Sequence, residues 1–342
     1  MDNICHTLTG AAFGEAGLKR RTRYGNATLM IASNLPDIDV FVFLTDTPGF
    51  AFRRGWTHGI LAQALLPIAF AGIMWTIGRA FRRGEGGEKS LLRHSPAEAV
   101  AEAGEGGLSF VWLLALSYVG VLSHVFLDYL NNYGIRLLAP FDWRWFYGDA
   151  VFIVDLFLWT VLGIGIWLAR RRDRVIFARG ALVFAACYIA IMLVSTGVAR
   201  GIVADVWRDI RGAEPVRVMV GPVPVTPFTR VVTVDAGDHY DVGTFRWWPI
   251  SVTFEPMSIP KNDRAPEVAR AREQSRLVQG FLVWSRFPVW SISPTSGGSQ
   301  VTVIDLRFTS RPVNGARFQA STIVPAAANA GSPGSSYPAD PR

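Results

Sequence analysis

The sequence predicts a mostly α-helical, polytopic membrane protein with about four spanning helices and an N-terminal helical hairpin, followed by a small β-rich α+β domain on the extracytoplasmic side. Three observations carry this reading. Half of the 342 residues are hydrophobic and only 18% are charged, against about 25% in average soluble domains, and the mean hydropathy is +0.25. Four apolar stretches, 59 to 78, roughly 108 to 127, roughly 150 to 169, and 180 to 199, each approach the ~20 residues that ~30 Å of hydrocarbon requires. Past residue 200 these runs give way to short alternating segments separated by Pro and Gly.

The N-terminus comes first. Residues 4 to 18 are apolar and rich in small side chains, but a helix of that length covers only about 22 Å. After the basic run Lys19-Arg20-Arg21-Thr22-Arg23 the chain turns through Tyr24-Gly25-Asn26 into a second apolar stretch ending at Asn34-Leu35-Pro36-Asp37-Ile38-Asp39. A short hairpin with its basic tip toward the cytoplasm would return Asp37 to the level of His6, and the small residues would let its arms pack closely. A cytoplasmic amphipathic helix is the alternative. No cleavable signal peptide is expected, because the basic run follows the first apolar stretch instead of preceding it.

The four spans follow. Arg79, Arg82, Arg83, Lys89 and Arg93 lie between the first two, and Arg170, Arg171, Arg172 and Arg174 between the last two. The positive-inside rule places both loops in the cytoplasm, so the protein is expected in a bacterial inner membrane with its C-terminal region outside. The net charge of +7 is mostly this topogenic arginine, and nucleic acid is not an expected partner. Cys5 and Cys187 fall at different depths, and no disulfide is expected between them.

Alternation in 216–220, 230–234, 251–254 and 301–306 marks strands, and 265 to 280 has helical composition. The expected organisation is a helical membrane domain over 1–200, a β-rich domain over 201–324, and a disordered Ala/Gly/Ser/Pro tail over 325–342.

Three of the five histidines stand beside aspartates at one membrane depth. His58 precedes the first span, while His124 and Asp128 come near the end of the second, and antiparallel helices would bring them to the same face. Ionisable residues at such depth are costly and usually functional. The spacing His124-x-x-x-Asp128 sets both side chains on one helical face, and imidazole nitrogen with carboxylate oxygen suits a divalent metal, zinc first. His6, Asp37 and Asp39 converge on the same level if the hairpin forms. Asp39 could instead cap a helix. Of the remaining histidines, His94 is expected in a solvated loop and His239 on a surface strand or turn.

The segments Cys5-His6-Thr7-Leu8-Thr9-Gly10, Asn34 to Asp39, Arg54-Gly55-Trp56-Thr57-His58-Gly59 and Ser123-His124-Val125-Phe126-Leu127-Asp128 together resemble the signature blocks of bacterial inner-membrane metal-dependent hydrolases of the YdjM/YbcI type, a family distantly similar to zinc-dependent phospholipase C and the P1 nucleases. The resemblance covers roughly residues 1 to 200. It implies metal ligands at His6, Asp37, His58, His124 and Asp128, with Asp39 as an additional ligand or a residue supporting one. The further His-x-x-x-Glu pair of the phospholipases and nucleases is missing, which favours one or two metals over three.

The implied chemistry is hydrolysis of a phosphoester or lipid-associated substrate by a metal-activated water, with Asp37 or Asp39 as the base. Arg53 and Arg54 could clamp a phosphate or anchor the chain to headgroups. Trp143, Trp145, Phe146 and Tyr147 could form an interfacial belt or line a substrate channel, and Asp142, Asp149 and Asp155 could serve a second ion. Two other classes fit the sequence: a haem protein with His58 and His124 as axial ligands, and a non-catalytic membrane scaffold.

Overall fold

The computed structural model describes residues 1–85, 107–309 and 318–325. Two compact units result, Met1–Ile259 and Pro260–Arg342.

The N-terminal hairpin forms. Helix α1 (Asn3–Glu15) is capped by Asp2, whose carboxylate accepts from the Ile4 and Cys5 amides and so satisfies two orphan donors of the first turn. A 3-10 turn, Leu18–Arg21, carries the basic residues and leads to α2 (Gly25–Ala32). The arms pack because Gly10 lacks a side chain: a Cβ there would sit 2.7 Å from the Leu29 carbonyl oxygen. A 3-10 segment, Leu35–Leu44, with Pro36 in its first turn, continues α2 at a bend of 48°.

A one-turn helix α3 (Gly49–Phe52) precedes α4 (Ile60–Glu85), and α5 (Phe110–Tyr129) follows with Ser109 as its cap. Helix α6 spans Leu156–Arg172, and α7 spans Val175–Arg211. Among the described residues three stretches are long and apolar enough to cross a membrane: Ile60–Phe81, Phe110–Tyr129 and Val175–Arg211. The bent pair of α2 and Leu35–Leu44 makes a fourth if it counts as one span. The stretch predicted from about 150 begins as helix only at Leu156, because the Asp155 carboxylate caps it through the Leu158 amide. With 17 residues and Arg170, Arg171 and Arg172 in its last turn, α6 is the shortest of the long helices.

Cys5 and Ala12 of α1, Leu158, Leu162 and Ile166 of α6, and Ala185, Ile189 and Met192 of α7 share one buried cluster. Their three- and four-residue spacings are the stripe by which helices pack. Helix α7 runs through the boundary expected at residue 200, because its apolar stripe continues. Ala199, Val203 and Trp207 pack on Val220, Val232, Val234 and Phe245 of a sheet. The main path of that five-stranded sheet is an antiparallel meander of β1 (Arg217–Pro222), β2 (Thr229–Asp235), β3 (His239–Trp247) and β4 (Ile250–Phe254). Arg230 of β2, fully buried, donates to the carbonyls of Asp149, Ala150 and Met192, which ties the sheet to the helical layer.

The second unit pairs α8 (Pro266–Gln274) and α9 (Arg276–Trp284) with an antiparallel sheet of β5 (Pro288–Thr295), β6 (Gly298–Asp305) and β7 (Gln319–Pro325), in that order. The single helix expected over 265–280 is divided at Ser275, whose extended backbone ends α8 while its side chain caps α9. All four predicted strand segments fall within or overlap strands, and His239 opens β3. His94 and the tail beyond Pro325 lie outside the described residues. Cys5 is buried, Cys187 is exposed, and both are free thiols.

Candidate metal centre

Asp37, His58, His124 and Asp128 are all buried, and each offers one ligand atom within 4.8 Å of the others. Three elements deliver them. Asp37 comes from the 3-10 segment after the bend, His58 from the turn before α4, and His124 and Asp128 from successive turns of α5.

Close backbone approach makes this convergence possible. Gly120, one turn before His124, lets α5 lie against the end of α2: a Cβ there would be 2.5 Å from the Ala32 Cβ and 2.9 Å from the Ser33 nitrogen. At Gly59, beside His58, a Cβ would be 2.2 Å from the Ala139 carbonyl oxygen. Gly120→Val is therefore expected to push α2 and α5 apart, costing about 1–3 kcal/mol as overpacking and lowering metal content. Thermal melting and elemental analysis of the variant check both effects.

The tautomers of the two central histidines follow from their neighbours. His124 Nδ1 lies 2.8 Å from the Ser33 carbonyl oxygen, which can only accept, so Nδ1 carries the proton and Nε2 presents a lone pair. Thr57 donates its hydroxyl to Asp39 Oδ2 at 3.0 Å, leaving its oxygen to accept from His58 Nδ1 at 2.9 Å. His58 Nε2 then presents a lone pair as well. The two Nε2 atoms face each other at 3.2 Å, 3.4 and 3.5 Å from Asp128 Oδ2 and both 3.9 Å from Asp37 Oδ1.

Two lone pairs and two carboxylates aimed at one buried point repel unless a cation lies among them. Asp128 Oδ2 has no hydrogen-bond donor among the described residues, so the donor set fits a divalent metal ion. Burial opposes the charged form of His58, but Asp128 and Asp39 outweigh it and hold its pKa above the ordinary imidazole value. The field at the site favours positive charge.

His6 stacks on His124 with ring centroids 3.8 Å apart, and its Nε2 is 3.4 Å from Asp128 Oδ1. Among the described residues neither of its ring nitrogens has a hydrogen-bond partner. The Met1 amino group also contacts Asp128. Asp39 is held by the Arg54 amide at 2.7 Å, Arg53 Nε at 3.2 Å and Thr57, and lies 3.4 Å from His58 Nδ1. Arg53 reaches Asp37 as well, at 3.1 Å. Arg54, buried and at φ +54°, donates to Asp128, Asn131 and the Gly134 carbonyl.

The three aspartates in and after the loop that follows α5 are engaged elsewhere. Asp142 pairs with Arg144, Asp149 with Arg200, and Asp155 caps α6 and accepts from Tyr188. The positioning roles of Ser33 and Thr57 emerge only from the structure. Thr57 is adjacent to His58, a signal within reach of the sequence, whereas nothing in the sequence marks the Ser33 carbonyl, which is a backbone group 91 residues from its partner.

The metal-capable residues occur in the order Asp37, His58, His124, Asp128, all within residues 1–199, the stretch matched by a family described as YdjM inner membrane protein. The chain belongs to this family. YdjM membership and the three to four membrane-length helices agree on a multi-pass inner-membrane protein. The chain is also similar, at 22% identity over 287 residues, to the protein described as "Uncharacterized protein YfhP" of Bacillus subtilis (strain 168), covering 82% of this chain and 76% of that relative. No solved structure matches significantly. The YdjM match stops before β1, so both sheets lie outside it.

Proposed function

We propose that the chain is a membrane-embedded, metal-dependent hydrolase acting on a phosphoester or lipid-associated substrate at the outer membrane face. The observation that carries this reading is the pair of inward-facing Nε2 lone pairs, 3.2 Å apart and flanked by Asp37 and Asp128. Zinc is the first candidate, since two imidazoles and two carboxylates are a borderline donor set. The outer-face assignment rests on Arg79, Arg170, Arg171, Arg172 and Arg174 as cytoplasmic charges.

A divalent ion would supply Lewis acidity and a water activated near neutral pH. His58, His124 and Asp128 hold the charge, and His6 is positioned beside Asp128 to add a fifth donor. Asp37 is suited to the base role: its Oδ1 faces both the cluster and Arg53, and neither contact uses its second oxygen. Asp39 orients His58 through Nδ1 and Thr57, the carboxylate–histidine arrangement that fixes a ligand ring. Asp39→Asn is expected to weaken metal affinity by about 10–100-fold while leaving Asp37 in place. Competition with a fluorescent zinc chelator measures it.

The haem alternative does not suit the geometry. Two Nε2 atoms 3.2 Å apart with Asp128 beside both leave no room for a porphyrin between them. The deciding experiment is elemental analysis of detergent-purified protein, followed by a screen of phosphomonoesters, phosphodiesters and carboxyl esters with the metal stripped and restored. Hydrolysis that follows metal content supports the reading. Bound metal with no turnover of soluble or lipid substrates, or no bound metal at all, overturns it.

A further inference from the structure

Arg136 is an anomaly that the metal site does not absorb. It is only 3% exposed, yet among the described residues no carboxylate pairs with it. Nη1 donates to the Ala51 carbonyl at 2.9 Å, while Nε and Nη2 have no hydrogen-bond partner among the described residues. Those two atoms form one edge of the guanidinium, the fork that binds an oxyanion through two parallel N–H bonds. Burial lowers its pKa from the ordinary arginine value, as expected for a cation desolvated without a counter-charge.

The surroundings hold this edge in place. Trp145 and Trp143 lie over the guanidinium, with its central carbon 4.4 and 5.3 Å from their ring centroids. The backbone is pinned on both sides: Ile135 exchanges two hydrogen bonds with Phe146, at 3.0 and 2.8 Å, and the Arg136 amide donates to the Arg54 carbonyl at 3.0 Å. Gly134, at φ +89°, makes room for Tyr147, whose ring a Cβ would meet at 2.3 Å. Arg54 connects this loop to the metal centre, since its backbone receives Arg136 and its guanidinium holds Asp128 at 3.0 Å. Arg53 and Arg54, the sequence candidates for binding an anionic substrate, are already paired with Asp37, Asp39 and Asp128.

We propose that Arg136 is the phosphate-recognition residue of this protein, its Nε–Nη2 edge receiving a phosphate oxyanion, free or carried in a lipid headgroup, beside the metal centre. Trp143, 42% exposed, covers Arg136 with its ring centroid 5.3 Å from the guanidinium carbon. The inference deepens the hydrolase reading by naming the substrate's anionic group, and it rests on that reading only for the claim that the phosphate belongs to a substrate.

The test uses the full chain in a phosphate-free maltoside detergent. Inorganic phosphate and a soluble short-chain phosphatidic acid are titrated in parallel by calorimetry, which separates free phosphate from the headgroup. Each titration is repeated in a His124→Ala background to remove phosphate held by metal. Arg136→Gln is expected to weaken binding about 10- to 100-fold, the loss of two charge-assisted hydrogen bonds, with zinc content unchanged. Arg136→Lys, which keeps the charge but not the fork, is expected to fall between them, and its normal zinc content would show that the fold is intact.

Binding of both probes that is equal in wild type and Arg136→Gln overturns the proposal, as does a wild-type chain that binds neither. Arg136-dependent binding without turnover of any substrate would sustain this inference and remove the hydrolase reading. Turnover of a phosphoester with KM unchanged in Arg136→Gln would do the reverse.

Discussion

His124→Ala is expected to reduce bound metal to background while the helices stay assembled. The imidazole supplies one of the two Nε2 lone pairs that define the site, and His6, a separate donor that stacks on the His124 ring with its Nε2 3.4 Å from Asp128, does not stand in for it. Loss of a direct ligand should exceed the ~10–100-fold that loss of an orienting residue such as Asp39 costs. The truncation also leaves the buried Ser33 carbonyl without its donor, a penalty of about 1–3 kcal/mol that a modest fall in melting temperature would register. Elemental analysis is the deciding measurement: stoichiometric zinc, manganese or iron retained in His124→Ala would show that this cluster is not the metal centre. Asn in place of Asp128 is a sterner variant, because it leaves the buried Arg54 without the carboxylate it meets at 3.0 Å.

The second large effect lies in the C-terminal unit. Asp305 and Arg307 are both fully buried and paired at 2.9 Å, with Arg307 also donating to the Trp284 carbonyl and lying 4.1 Å from the Trp284 ring centroid. Asp305→Ala takes the carboxylate away from a fully buried guanidinium and is expected to destabilise this unit by about 3–5 kcal/mol. Combining it with Arg307→Met should recover much of the loss, since the buried charge is then removed with its partner. Denaturant titration of the single and double variants checks the sign and size of both changes, and equal destabilisation in the two would remove the charge argument.

The pH dependence has a definite sign. Burial pushes the Asp305 pKa up, but Arg307 and the hydrogen bonds from Ser285 and the Arg307 amide outweigh it and hold the carboxyl below its ordinary value. A depressed folded-state pKa gives stability that is fully present above the unfolded value of about 3.9 and is lost as pH falls through the lower folded value. Stability of this unit should therefore hold down to about pH 4 and then decline. The acid limb attributable to this residue should vanish in Asp305→Ala.

Much of the architecture is legible in the sequence because bilayers impose a simple length rule. The stretch 59–78 falls almost wholly inside α4, 108–127 nearly coincides with α5, and 180–199 lies within α7. The stretch from 150 is harder, since its first residues look apolar but follow the loop and serve its hydrogen bonds: the Ala150 and Val151 amides both donate to the Leu130 carbonyl. Strand β3 escapes the alternation pattern because Gly243 and Arg246 interrupt it, while its pairing with both β2 and β4 is a non-local fact. The division of the helix over 265–280 turns on one extended residue, Ser275.

By itself the sequence made Asp37, His58, His124 and Asp128 legible as metal-capable side chains, because imidazole and carboxylate suit a divalent ion, and the i, i+4 spacing of His124 and Asp128 fixes a shared face without reference to the rest of the fold. Only the tertiary structure decided how those residues are used. The Ser33 carbonyl and the Thr57 hydroxyl set the tautomers, Gly120 and Gly59 set how closely the elements approach, and Arg53 and Arg54 are bound to carboxylates while Arg136 keeps an unpartnered edge. The reason is physical: ligand type follows from the chemistry of a side chain, but protonation, charge balance and access depend on atoms that are distant along the chain and meet only when the helices pack.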